Sequence, residues 1–199
     1  MSEWQERPNE TPIDLSHLKI KWVKTRQQLN LVEARNIAKP MSKYFARQRP
    51  TKTMAPFDLK WIKRLHKEMF GEVWEWAGEL RTRDLNLGIR WNQIDEKLHN
   101  LLRDLESWEH SGMDPIEQAV RLHHLAVQIH PFYNGNGRWA RMLANILLRA
   151  RARSETRWPE SLLGVESTIR GQYLAAIKAA DLGDYDPLLS LTRSHTPTG

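Results

Sequence analysis

Residues 130–141, HPFYNGNGRWAR, hold one histidine, two asparagine–glycine pairs and two arginines in a single short stretch. A histidine side chain can take a proton near neutral pH, the requirement for a general base. Gly135 and Gly137 permit backbone geometries closed to other residues. They stand just before an apolar run that reads as a helix. The amides at a helix start, with those of a preceding turn, form a concave anion site. Arg138 and Arg141, three residues apart, project from one side of that helix. Two guanidinium groups beside an amide nest suit a polyphosphate, several of whose oxygens they can hold together. The same spacing also fits a satisfied core histidine beside an ordinary inter-helix turn.

The elements that must position these residues are mostly helical. Thr25-Arg26-Gln27-Gln28 reads as a capping box, and Leu29, Val32, Glu33, Asn36 and Ile37 share one stripe of the helix it opens, which Pro40 is expected to end. A second helix is expected from about Phe57 to Phe70, stopped at Gly71. Residues 72–94, with three tryptophans and two glycines, lack helical period. They read as a packed turn over Trp74–Leu80 and an extended, hairpin-like segment over Arg83–Ile94 around Gly88. Helical pattern resumes at Leu98. Asp114, Pro115 and Glu117 signpost a further helix, with a cap, a first-turn proline and the far side of a box. From Ile116 to Ile129 that helix is apolar on nearly all sides, which marks it as central, and it delivers His130. A helix over Arg138–Arg151 follows the glycine turn, and a last one spans about Glu166 to Ala180, ending at Leu182-Gly183.

The whole chain has 199 residues, 40% hydrophobic and 27% charged, with a formal net charge of +6. That size suits one domain with a proper core. No run reaches the apolar length of a membrane span. The start, MSEWQERPNETP, lacks the basic and apolar regions of a signal peptide. The absence of cysteine excludes disulfides and thiolate metal sites and suits a reducing cytoplasm. The positive charge suits an anionic ligand. The arginines at 149, 151, 153 and 157 have no interleaved aromatics and read as a solvated basic face rather than a nucleic-acid site.

His130-x-Phe132-x-Asn134-Gly135-Asn136-Gly137-Arg138-x-x-Arg141 closely resembles the signature of the Fic domain family, H-x-F-x-[DE]-G-N-G-R-x-x-R, matching seven of its eight fixed positions. Trp76-Ala77-Gly78-Glu79-Leu80-Arg81 resembles the stretch upstream of that signature. Arg170, Tyr173, Ala176 and Asp181-x-Gly183-Asp184 resemble the last core helix. The arrangement is most similar to the bacterial group called mobile mystery protein B. The resemblance implies a mainly α Fic-type helical bundle with a short β-hairpin flap. It divides the chain into an N-terminal arm and helix (1–54) with an autoregulatory role, a core (55–193) and a flexible tail (194–199).

The resemblance further implies a protein adenylyltransferase, moving AMP from ATP to a Ser, Thr or Tyr hydroxyl of a target protein. His130 would be the base and Phe132 would fix the loop. Gly135, Asn136 and Gly137 would line the phosphate nest, with the Asn136 side chain on an α-phosphate oxygen. Arg138 would neutralise the β-phosphate and the pyrophosphate leaving group, and Arg141 would hold the γ-phosphate. Asn86, Leu87, Gly88 and Ile89 would belong to a flap that pairs with the target's backbone. The family has an acid where Asn134 stands, and that acid holds Mg²⁺. An amide carbonyl is a weaker ligand, so Mg²⁺ binding is expected to be weakened. A nucleotide-binding interaction or toxin module, another nucleotide donor and the removal of AMP remain alternatives. The group's helix-turn-helix companion suggests a regulator as partner.

Glu33 lies on the stripe that faces the core, where a carboxylate needs a cationic partner. Many Fic proteins carry a glutamate that pairs with the second arginine of the signature and inhibits. Here Leu29 and Ala34 depart from the usual flanks of that glutamate, so the stripe is the stronger reason to suspect an inhibitory role. His123 and His124 lack metal-ligand spacing with a carboxylate and read as core or helix-packing residues; His66 reads as a surface or packing residue.

Overall fold

The computed structural model describes residues 13–46, 49–158 and 167–197. Within them lie seven α-helices: α1 (Arg26–Tyr44), α2 (Leu59–Phe70), α3 (Ile94–His110), α4 (Pro115–Ile129), α5 (Asn136–Ala150), α6 (Thr168–Asp181) and α7 (Asp186–Ser194). The antiparallel pair α4 and α5 forms the centre. Helices α1 and α2 pack together on one flank, α3 lies along α4, and α6 with α7 covers the remaining side of α4. Leu122, Ala126 and Ile129 of α4 meet Trp139, Leu143, Ile146 and Leu147 of α5 in the main core. Trp139 is fully buried, and its indole N–H donates to the Ile62 carbonyl at 3.1 Å, which joins α5 to α2.

The caps explain most helix starts. The Thr25 side chain accepts from the Gln28 amide while the Gln28 side chain reaches back, completing the box. Asp58 caps α2, Asp114 caps α4 and Ser167 caps α6. The Glu117 carboxylate pairs with Arg121 instead of closing a box at α4.

Pro40 does not end α1, which runs on to Tyr44. Proline inside a helix costs about 3 kcal/mol because it removes an N–H and crowds the preceding turn. The turn beyond it is anchored by Tyr44, which is fully buried and accepts from the Trp61 indole at 3.1 Å. The expected start at Phe57 moves to Leu59, and Phe57 itself has positive φ (54°). Helix α7 occupies 186–194, the Arg157 amide donates to the His195 carbonyl at 2.7 Å, and Thr196 meets Thr156. The anticipated start of the last helix at Glu166 lies outside the described residues.

The β-hairpin expected around Gly88 is absent among the described residues. Residues 80–90 form an irregular loop whose carbonyls are gathered by the Arg81 side chain, and whose ends are closed by the Trp91 amide donating to Asp84 at 2.8 Å. The described part of the N-terminal arm also packs: Lys19 and Glu75 exchange backbone bonds with Val73 and His17, beside a single antiparallel bridge of Leu18 and Trp74.

Candidate active site

His130 terminates α4 in the left-handed region, with φ 52° and ψ 60°. That conformation is uncommon for a side-chain-bearing residue and is held only where surroundings enforce it. Here the Arg81 guanidinium donates to the His130 carbonyl at 2.8 Å, and the Arg81 amide donates to Pro131 at 2.9 Å. The imidazole is buried, which pushes its pKa down to about 4. The positive charge of Arg81 adds to that shift and a hydrogen bond with the Val127 backbone opposes it. His130 is therefore neutral at physiological pH, the form a base requires.

The turn after it is assembled from beneath. Phe132 is fully buried, stacked on His66 at 3.7 Å between centroids and edge-on to Trp139 at 5.0 Å. The Asn136 side chain accepts from the Phe132 amide at 2.9 Å and donates to the Phe132 carbonyl at 2.8 Å. This closes the loop on itself, so in this conformation both polar atoms of Asn136 serve the loop. Gly135 has φ 77°, and a Cβ there would stand 2.6 Å from the Phe70 ring, so both backbone and space demand glycine. No side chain caps the start of α5. Its first-turn amides, at Asn136, Gly137 and Arg138, thus present the positive end of a helix to a ligand.

Both arginines converge on that end. A Cβ placed on Gly137 would lie 3.4 Å from the Arg141 guanidinium, so this largely buried side chain folds over the first turn of its own helix. The Arg138 guanidinium lies 4.9 Å over the Phe70 ring and donates to Glu33 at 2.7 Å. Glu33 is buried, as its stripe required. Its second oxygen accepts from the Trp74 indole at 2.8 Å. Glu33 thus makes an ion pair at 2.7 Å with Arg138, the first arginine of the signature.

Asn134 is half-buried, and its side-chain oxygen accepts from the neighbouring Gly135 amide at 2.6 Å. A neutral amide oxygen already engaged in this way makes a poor cation ligand. The described residues contain no group of three His, Cys, Asp or Glu able to hold a metal. Among the described residues, the side chains do not build a divalent-cation site by themselves. A cleft of about 330 Å³ opens beside Asn134, lined also by Trp74, Trp76, Tyr133, Thr82, Arg83 and Leu85.

Three supporting residues escaped the sequence reading of the site. His66 is fully buried. It accepts from the Gly78 amide at 3.0 Å through Nδ1, so its Nε2 carries the proton and donates to the Asn134 carbonyl at 3.0 Å. Burial lowers its pKa to about 3, which keeps that tautomer neutral. Trp74 fixes Glu33, and Arg81 fixes His130. The spacing Gly78-x-x-Arg81 offered a signal only through the resemblance. The expected flap residues Asn86–Ile89 lie over His130: the backbone of Gly88 approaches so closely that a Cβ would be 2.4 Å from that of His130. His123 and His124 are buried packing residues. His123 meets the Tyr173 hydroxyl, and His124 bridges Tyr185 and Asp181. Arg149 and Arg151 of the basic end reach the Ala46 carbonyl and Glu109.

The model of the Fic/DOC family matches residues 56–148. Those residues form a Fic/DOC family domain. Protein adenylyltransferase fic-1 of Caenorhabditis briggsae is 33% identical over 124 residues, 60% of this chain and 23% of the relative. Protein adenylyltransferase VbhT of Bartonella schoenbuchensis is 32% identical over 99 residues, 46% and 21% of the two chains. This chain thus spans about a quarter of the curated relatives it matches. Among solved structures, Fic-1 (residues 134–508) of C. elegans superposes with a TM-score of 0.66 at 25% identity, over 86% of this chain and 49% of that one. BepC of Bartonella tribocorum, a VirB-translocated effector with bound AMPPNP, gives 0.67 at 20% identity and covers 100% and 98%. The fold is therefore the Fic fold, mainly helical as expected.

Proposed function

We propose that this Fic/DOC domain is a protein adenylyltransferase that uses ATP. One observation carries the reading: a neutral, buried histidine stands at the end of α4, next to the uncapped start of α5 over which Arg141 folds. The adenylyltransferase names of the relatives and the AMPPNP in BepC support the same chemistry. The α5 amides hold phosphate oxygens, and Arg141 with Arg138 neutralises the outer phosphates. His130 takes the proton of a target Ser, Thr or Tyr hydroxyl. That oxygen attacks the α-phosphorus, the bond to the β-phosphate oxygen breaks, and pyrophosphate leaves with its charge spread over the arginines. Mg²⁺ can arrive on the nucleotide, with Asn134 offering one neutral oxygen; no step depends on a cation held by the protein alone.

Regulation belongs to the same proposal. Glu33 holds Arg138, one of the two cations that the outer phosphates need, so the N-terminal helix α1 restrains the site as autoregulation requires. The loop over His130 serves as the flap, presenting the target by its backbone.

The test is incubation of the full chain with labelled ATP, GTP, UTP and CTP, with and without Mg²⁺, beside His130→Ala. Transfer from ATP that the variant lacks supports the proposal. Label transferred equally by both proteins, or by neither, removes it.

A further inference from the structure

We propose that Arg81 is a positioning residue that locks the flap loop to His130, so that the base and the segment above it move as one body. The proposal rests on the reading of His130 as the base. Arg81 is 1% exposed. Its three guanidinium nitrogens donate to carbonyls from separate places along the chain: Nε to His130 at 2.8 Å, Nη1 to Arg83 at 2.9 Å and Nη2 to Ile89. The nearest carboxylate, Asp84, is 3.8 Å away and largely exposed, so the buried charge is solvated chiefly by these three carbonyl dipoles. A planar fork can serve three divergent acceptors, whereas an ammonium offers one point charge.

Gly88 gives an independent reason to see one body. Its φ is +91°, and a Cβ there would meet the His130 Cβ at 2.4 Å and the Arg81 guanidinium at 2.9 Å. The loop is thus seated directly on the base, and the side chain that seats it also holds the base's left-handed backbone. The segment lacks strand pairing, so Arg81 supplies the order that a ladder would give a hairpin. A base displaced by about 1 Å can lose on the order of a hundredfold in rate. Arg81 also contributes charge at the imidazole, where the other influences are burial and the Val127 backbone.

The experiment compares Arg81→Lys, Arg81→Gln and Gly88→Ala with the wild type as full chains. Amide exchange is read over residues 82–90 and over α5, the His130 ring is titrated by NMR, ATP affinity is measured, and AMP transfer is followed where present. Exchange at 82–90 should quicken at least about tenfold in all three variants, with α5 unchanged. The His130 pKa should rise above about 4 in Arg81→Gln by the part that the Arg81 charge contributes, burial remaining the larger cause. Transfer should fall with ATP affinity kept, and lysine should not rescue it. Unaltered loop exchange and His130 titration in Arg81→Gln would overturn the proposal, as would full rescue by lysine. If Arg81→Gln fails to fold, Gly88→Ala decides by loop exchange alone. If the wild type transfers nothing, the adenylyltransferase reading fails while exchange and titration still judge the latch.

Discussion

Replacing Glu33 with glutamine isolates the charge that holds Arg138. Glutamine keeps the shape and an acceptor for the Trp74 indole, which glycine or alanine would leave buried and unpaired at a cost of about 1–3 kcal/mol. The Glu33 side chain is 4% exposed and that of Arg138 is 31% exposed, so the 2.7 Å bond straddles the surface. A hydrogen bond to a charged group contributes about 1.5–3 kcal/mol. Water reaches the guanidinium and offsets part of that, leaving about 1–2 kcal/mol. ATP must recover Arg138 against this pairing, and each 1.4 kcal/mol is tenfold in affinity. Glu33→Gln should therefore tighten ATP binding about 5–30-fold by calorimetry and raise transfer at limiting ATP. Loss of about 1–2 kcal/mol should lower the melting temperature by about 2–8 °C in a chain of this size. An ATP affinity within about twofold of wild type in a fully folded variant would refute the idea that Glu33 competes with phosphate for Arg138.

Asn134→Asp adds a full negative charge where the amide now accepts from Gly135; Mg²⁺ affinity in the presence of nucleotide should rise at least about tenfold, and an unchanged Mg²⁺ titration counts against position 134 as a ligand. Asn136→Ala removes both bonds to the Phe132 backbone and should cost about 2–4 kcal/mol in chemical denaturation, with ATP binding lost in parallel; retained ATP affinity would show that the loop holds without it. Burial lowers the pKa of His66 and His123 to about 3 and that of His130 to about 4, below the unfolded value of 6.5. The unfolded chain then binds more protons between these values, so stability should be present above pH 6.5 and fall as pH drops through 6 and 5, by up to about 4 kcal/mol per pH unit. Denaturation midpoints constant from pH 7 to 5 would contradict that burial.

Local signals carried much of the fold. Thr25-x-x-Gln28, Asp114-Pro115 and the apolar circumference of 116–129 each name a cap or a buried helix, because caps and periodicity act over a few residues. The clustering of Gly135, Gly137, Arg138 and Arg141 was legible for the same reason: they lie close together along the chain, within about two turns. Glu33 was legible as a carboxylate on a core-facing stripe, while its pairing with Arg138 depends on how α1 is set against α5. Pro40 misled because the anchor that offsets it, Tyr44 on Trp61, is a contact between two helices. The hairpin form expected around Gly88 misled because Arg81 orders that loop by reaching carbonyls 2, 8 and 49 residues away, a pattern with no period. His66 escaped because a histidine inside an amphipathic helix shows nothing of the two backbone groups it joins.

Under the proposed function AMP, not a terminal phosphate, leaves ATP for a protein hydroxyl with His130 as base. The most direct measurement supplies ATP labelled on the α-phosphate or on the γ-phosphate to Glu33→Gln protein, with and without His130→Ala. Protein-bound label is expected from the α-position alone, lower by at least about a hundredfold in the His130 variant. Label arriving from the γ-position, or α-label that persists without His130, would contradict it.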